Sequence, residues 1–378
     1  MTDFVFYGDT ERSYAMRHEL PVVIGDAFLL AIVDGRTHVA VSFLDRPRVQ
    51  AAMPDAVLHD FSDLGFGELR LSGRSAFEVE LELASRAAAA SGIREAIADP
   101  DMPFAIADRL RADGITLLLD EPAVAERRRV KSHAELAGIR RAQAAAHAGL
   151  RAAAGVLAHA VPDGDQLSVD GEVLTSEIVR AALRDACAAA GVPAPPDVTV
   201  SSVWNGGGHD PGSGPLPANL PIIVDLWPRD EDSGCWADCM RTFVVGDPPE
   251  AAQQAARTVR EAIEAARALV RPGVTGKEVY EAAADVIEAA GYQSQRTVGG
   301  GVPDDGFQAS LGHGVGLAVH EPPVLGLAGH DPLVAGDVVT LEPGIFTPGI
   351  GEICFEDLLL VTDDGSETLT HFPYDLAP

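Results

Sequence analysis

The sequence predicts a two-domain α/β protein: a mixed α/β domain over about residues 1–125, followed by an α+β domain with internal pseudo-symmetry over 126–378. Three observations lead there. At 378 residues the chain exceeds the size at which one hydrophobic core usually stops growing. The first third alternates short apolar strands with alanine-rich helical stretches, and the remainder twice repeats an order of helix, helix and extended segments.

In the first domain, Phe28 to Val33, Asp34-Gly35 and His38 to Phe43 read as strand, tight turn, strand. Helical stretches follow near 76–90 and 105–113, and Ile115 to Leu119 reads as another short strand. The basic run Glu126-Arg127-Arg128-Arg129-Val130-Lys131, set in an acidic chain, marks the boundary. Directly after it, Ser132 and Glu135 form a capping box that opens a long helix.

That helix, about 133–160, is expected to end at Pro162-Asp163-Gly164, and a second to run to Ala190-Gly191, before strands at Val198–Val203 and Ile222–Trp227. The order then recurs. A helix over about 250–270 stops at Pro272-Gly273, and another opens on the capping box of Thr275 and Glu278 and ends at Ala290-Gly291. A strand is expected over Ile353 to Leu359.

Composition narrows the function. The 28 basic and 57 acidic residues give a formal charge of −29, a field that repels phosphate backbones and anionic lipid. Nucleic acid and membrane surfaces are therefore poor partners. The acidic first dozen residues are unlike a signal peptide, and the longest apolar stretch, around Pro21 to Val33, is broken by Asp26. Cys187, Cys235, Cys239 and Cys354 are irregularly spaced without a CxxC pair and read as ordinary thiols of a reducing compartment. A cytoplasmic location is expected.

The chemistry is concentrated between residues 205 and 357, in short clusters dense in His, Asp, Glu and Gly. They are Asn205-Gly-Gly-Gly-His209, Val224-Asp225-Leu226, Trp236-Ala-Asp238-Cys-Met-Arg-Thr-Phe243, Leu311-Gly-His313-Gly-Val-Gly-Leu-Ala-Val-His320-Glu-Pro-Pro323, Leu341-Glu342-Pro343-Gly344 and Phe355-Glu356-Asp357. Asp225 stands in an apolar, β-branched run, where an ionised carboxylate is costly unless paired or bound to a cation. Asp225, Asp238, His313, Glu342 and Glu356 offer four carboxylates and one imidazole, a set suited to two hard or borderline divalent ions. Such a pair can activate water near neutral pH and polarise a carbonyl. Hydrolysis is the expected chemistry. No Gly-x-Ser-x-Gly elbow is present, and neither of the two lysines, Lys131 and Lys277, lies in a phosphate-binding loop.

Together and in this order, the clusters resemble the pita-bread metallopeptidases, the family of Xaa-Pro aminopeptidases, prolidases and methionine aminopeptidases, with creatinase as a non-peptidase relative. The most specific is Gly-His313-Gly-x-Gly-Leu-x-x-His320-Glu-x-Pro. The resemblance runs from about Arg129 to Thr370, and the N-terminal domain looks like the creatinase-type domain of the proline-specific members. It implies that Asp225 binds one metal, His313 and Glu342 the second, and Asp238 and Glu356 bridge them. Glu342 is then also the general acid/base, and His209 and His320 contact substrate and stabilise the oxyanion. It further implies Mn²⁺, with Co²⁺ and Zn²⁺ as alternatives, a short peptide substrate with proline in second place, and a homodimer. The other eight histidines, and the acidic neighbours Asp247, Asp337 and Asp357, read as structural.

Two departures stand out. Asp225 and Asp238 are thirteen apart where the family usually has eleven, so the Pro228–Trp236 loop carries two extra residues. The proline-specific members usually place arginine two residues before the last glutamate; here that residue is Cys354, and Arg229 or Arg241 is left to fill the place from elsewhere. A creatinase-like amidohydrolase and a non-catalytic binding protein are the rival readings, since fold alone does not set function.

Overall fold

The structure, a computed structural model, describes residues 2–207 and 210–378. The chain divides into two compact units, Met1–Arg128 and Arg129–Pro378, within the basic run.

The first unit is built on a six-stranded mixed sheet in the order Val57–Asp60, Arg36–Val41, Phe28–Val33, Phe4–Gly8, Glu95–Ala98, Thr116–Leu119. Asp34 (φ 50°) and Gly35 (φ 77°) turn the central hairpin in the left-handed region that Asp and Gly tolerate best. The helices Ala76–Ser91 and Phe104–Ala112 bury Ala84, Ala88, Ile106 and Leu110 in one of its two cores.

In the second unit, each of two helix pairs covers a group of strands. The first pair is His133–Ala158 and Ser176–Ala189. The Ser132 hydroxyl accepts from Glu135 N–H at 3.2 Å and the Glu135 carboxylate accepts from Ser132 N–H at 2.7 Å, a reciprocal cap worth about 1 kcal/mol. Ile139, Ala142, Ala146, Leu150, Ala153 and Leu157 follow at helical spacing and face the core of the antiparallel sheet Thr199–Ser201, Ile222–Leu226, Cys239–Phe243. Close approach here needs Gly149, where a Cβ would stand 2.7 Å from Leu226 Cδ1 and 2.8 Å from Cys187 Sγ.

The second pair, Glu250–Arg267 and Gly276–Ala289, covers a core shared by Val338–Leu341, Gly344–Thr347, Gly351–Cys354 and Asp357–Val361. Thr275 and Glu278 again form a reciprocal cap. The architecture is a mixed α/β one with a pseudo-symmetric second unit.

Two expectations are corrected. Residues beyond Ala158 form a meander, Val161–Asp163, Gln166–Val169 and Glu172–Val173, rather than a simple helix stop. The strand expected over Ile353 to Leu359 is two strands, broken at Phe355-Glu356 where the chain passes from the hairpin Gly344–Cys354 to the larger sheet.

Candidate metal centre

The strand Ile222–Leu226 turns Ile222, Val224 and Leu226 into the core and leaves Ile223 and Asp225 on its other face. Its partner Cys239–Phe243 runs antiparallel, with Leu226 opposite Cys239. The pairing extends to Arg229 opposite Trp236, so the loop's extra length is confined to the tip at 230–235. There Asp230 accepts from Arg141 and from Ser233, which fixes the tip.

From the second half, Glu342 follows the strand Val338–Leu341 and Glu356 precedes Asp357–Val361. Leu341 pairs with Asp357, so the two glutamates leave the sheet side by side. His313 lies on Gly312–Gly314, and Glu342 N–H donates to the Leu311 carbonyl at 2.8 Å. Glu356 N–H donates to the Met240 carbonyl at 3.0 Å, tying the two halves together at the site.

The Asp-x-x-Arg-Thr-Phe cluster explains itself in this geometry. Arg241, 1% exposed, donates to the carbonyls of Met240, Glu356, Phe372 and Pro373 and to Asp357 Oδ1, so all its donor nitrogens are engaged and one of them holds the Glu356 carbonyl. Thr242 Oγ1 donates to the Cys354 carbonyl at 2.8 Å and accepts from Cys354 N–H at 3.0 Å. Arg229 donates to the Gly234 carbonyl and stacks on Trp236. Both arginines are thus engaged elsewhere, leaving the wall formed by Cys354 without either guanidinium.

The five donors converge. Asp225, Asp238 and Glu356 each bring a donor atom within 4.8 Å of one another, as do His313, Glu342 and Glu356, so Glu356 belongs to both groups. His313 Nε2 is 3.2 Å from Glu342 Oε1 and 3.7 Å from Asp238 Oδ2. Its Nδ1 lies 3.1 Å from the Gly314 carbonyl; placing the proton there leaves the Nε2 lone pair free to ligate a cation beside the carboxylates. His320 also approaches: its ring stands edge-on to His313 at 4.3 Å between centroids, and it shares a potential donor group with Asp238 and His313. His209 lies outside the described residues.

The electrostatics are those of a site built for cations. Asp225 Oδ1 is buried with no hydrogen-bond partner. Burial, then Asp238, Glu342 and Glu352, holds Asp225 well above the usual carboxylate range, and burial with Asp238 and Glu342 does the same to Glu356. Burial pushes Asp238 up to about 7 despite the opposing pull of His313. For His313 burial works downward, but the hydrogen bond and charge of Glu342, with Asp238, prevail and raise it to about 9. An orphaned buried oxygen among mutually repelling carboxylates, with one imidazole, fits divalent cations.

Sequence reading missed Glu352. It alternates with Cys354 on one strand and lies across from Phe346, and burial together with Glu342 pushes it up to about 7. An acidic residue two places from Cys354 on a strand was the available signal.

The model of metallopeptidase family M24 matches residues 137–363, more than half of the chain. The chain belongs to this family. Among M24-type relatives, an Xaa-Pro dipeptidase of Pyrococcus furiosus is 38% identical over 134 residues, 35% of this chain and 35% of that protein. The chain spans well under half the length of the curated relatives it matches. The prolidase of Pyrococcus horikoshii OT3 superposes with a TM-score of 0.75 at 22% identity, covering 100% of this chain and 95% of that one. The dipeptidase PepE of Mycobacterium ulcerans gives 0.72 at 26%, covering 100% and 92%. Among the described residues, no helix is long and apolar enough to cross a membrane.

Proposed function

We propose that this M24 chain is an exopeptidase that uses two divalent metal ions to hydrolyse the bond between an N-terminal residue and a following proline, as an Xaa-Pro aminopeptidase or dipeptidase. The observation that carries the reading is the convergence of Asp225, Asp238, His313, Glu342 and Glu356 around the orphaned Asp225 Oδ1. Asp225 would serve one ion, His313 and Glu342 the other, and Asp238 and Glu356 both; Mn²⁺ is the first choice, then Co²⁺ or Zn²⁺. When bound, such a pair supplies water activation near neutral pH and polarisation of the scissile carbonyl.

The chain's own groups divide the remaining work. Glu342, oriented by the Thr340 hydroxyl that donates to its Oε1 at 3.2 Å, takes a proton from the attacking water and returns it to the departing proline nitrogen. His320 and His209 donate hydrogen bonds to the substrate oxygen as it becomes anionic. The peptide's free amine is held beside Asp225. The names of the relatives, Xaa-Pro dipeptidase and prolidase, support the choice of substrate. A cytoplasmic homodimer completes the reading.

The deciding assay compares Xaa-Pro peptides, matched Xaa-Ala peptides and creatine-like amides with Mn²⁺-supplied protein. Preferential cleavage before proline is expected. Hydrolysis of the amides with no peptide cleavage would replace this reading by a creatinase-like one.

A further inference from the structure

Ile223 and Asp225 share one face of their strand, and Ile223 lines a cavity of about 110 Å³ whose wall also includes Ser201, Gly207, Phe346 and Glu352. The Glu352 side chain lies against Gly344, where a Cβ would stand 2.2 Å from Glu352 Oε1. Among the described residues, no hydrogen bond or ion pair reaches Glu352. Its charged neighbours are Glu342 and Asp225, both acidic, and the next residue on its strand face is the neutral Cys354. It stands outside the groups of donor atoms that could hold a metal.

A carboxylate that has no hydrogen-bond or ion-pair partner and faces an open cavity is satisfied by a cationic group that enters the cavity. We propose that Glu352 makes this cavity a subsite for a positively charged side chain, ammonium or guanidinium, on the first residue of the peptide. This rests on the proposed exopeptidase reading, in which the first residue's amine lies beside Asp225; the side chain of that same residue then points along the shared face toward Ile223 and Glu352. Lysine or arginine before proline is the substrate class that fits.

The test compares lysyl-prolyl-glycine with its norleucyl counterpart, equal in length but without the charge, on metal-loaded wild-type and Glu352→Gln protein. The wild type should favour lysine in kcat/KM by roughly 10- to 100-fold, the scale of a charge pair shielded from solvent. The ratio should fall to near one in Glu352→Gln with metal content unchanged. A wild-type ratio at or below one, a ratio retained in the variant, or metal lost from it would each overturn the subsite. Calorimetric titration with lysinamide and norleucinamide separates this from the broader reading. Tighter lysinamide binding that vanishes in Glu352→Gln supports the subsite even if no Xaa-Pro peptide is cut, in which case the exopeptidase reading alone fails. Equal binding of the two amides by the wild type overturns the subsite.

Discussion

His313 Nε2 lies 3.2 Å from Glu342 Oε1, and the same Glu342 oxygen accepts from the Thr340 hydroxyl at 3.2 Å. Glu342 is thus held between a potential metal-ligating imidazole and a neutral donor. In Glu342→Gln the side chain keeps its shape but loses the charge and the proton-accepting oxygen. We expect kcat to fall by roughly 10²- to 10⁴-fold with the fold intact by circular dichroism. A wild-type rate would remove Glu342 from the chemistry.

The two histidines assigned to the substrate oxygen make a separable prediction. His320→Ala and His209→Ala should each lower kcat/KM by roughly 10²- to 10³-fold, the effect of losing one oxyanion donor. Metal content, measured by atomic emission, should not change. Because His320 shares a potential donor group with Asp238 and His313, metal loss in His320→Ala would reassign it as a ligand.

Cys354 is buried beside the site, its Sγ 3.5 Å from the Glu342 carbonyl, where the proline-specific members usually carry arginine. A thiol cannot supply a charge for a free C-terminal carboxylate, and Arg241 and Arg229 are engaged elsewhere. Tripeptides beginning Xaa-Pro should therefore be cut at least as well as the corresponding dipeptide, judged by kcat/KM. A strong dipeptide preference would show that carboxylate recognition has another source.

Removing metal should make stability depend on pH in a defined direction. Asp238, raised from 3.8 to about 7, and His313, raised from 6.5 to about 9, hold protons in the folded metal-free chain that the unfolded chain has already released. Their stabilisation is complete below the unfolded values and is lost as pH rises through the folded ones. His147, lowered from 6.5 to about 4, acts in the opposite sense between those values. It lies outside the donor groups, so it cancels when metal-loaded and metal-free protein are compared. The Tm difference between the two should widen from about pH 5 to about pH 9, because cations replace protons that the site otherwise keeps. A difference independent of pH would mean that these groups are not where metal binds.

Local rules in the sequence reach some of these features and not others. Ser132 with Glu135 and Thr275 with Glu278 place the starts of two long helices because a capping box is a purely local device, and Asp34-Gly35 fixes its hairpin for the same reason. The chain break at Phe355-Glu356 is different in kind. Residues 353–359 read as continuous strand, whereas in the fold the segment is divided between two sheets and held at the break by hydrogen bonds with Arg241, Thr242 and Met240. Glu352 was passed over because its significance depends on its carboxylate lying against Gly344 and on a cavity formed by distant segments. The meander at 161–173 consists of strands of two to four residues, too short for a periodic signal.

The central claim is that the five converging side chains exist to hold catalytic metal. It is tested most directly by chelating the protein to verified metal-free state and following Xaa-Pro hydrolysis as Mn²⁺ or Co²⁺ is added back, with bound metal counted in parallel. The account predicts no activity without metal and recovery that saturates near two ions per chain, as expected for a dinuclear site. Full hydrolysis by the metal-free protein would contradict it.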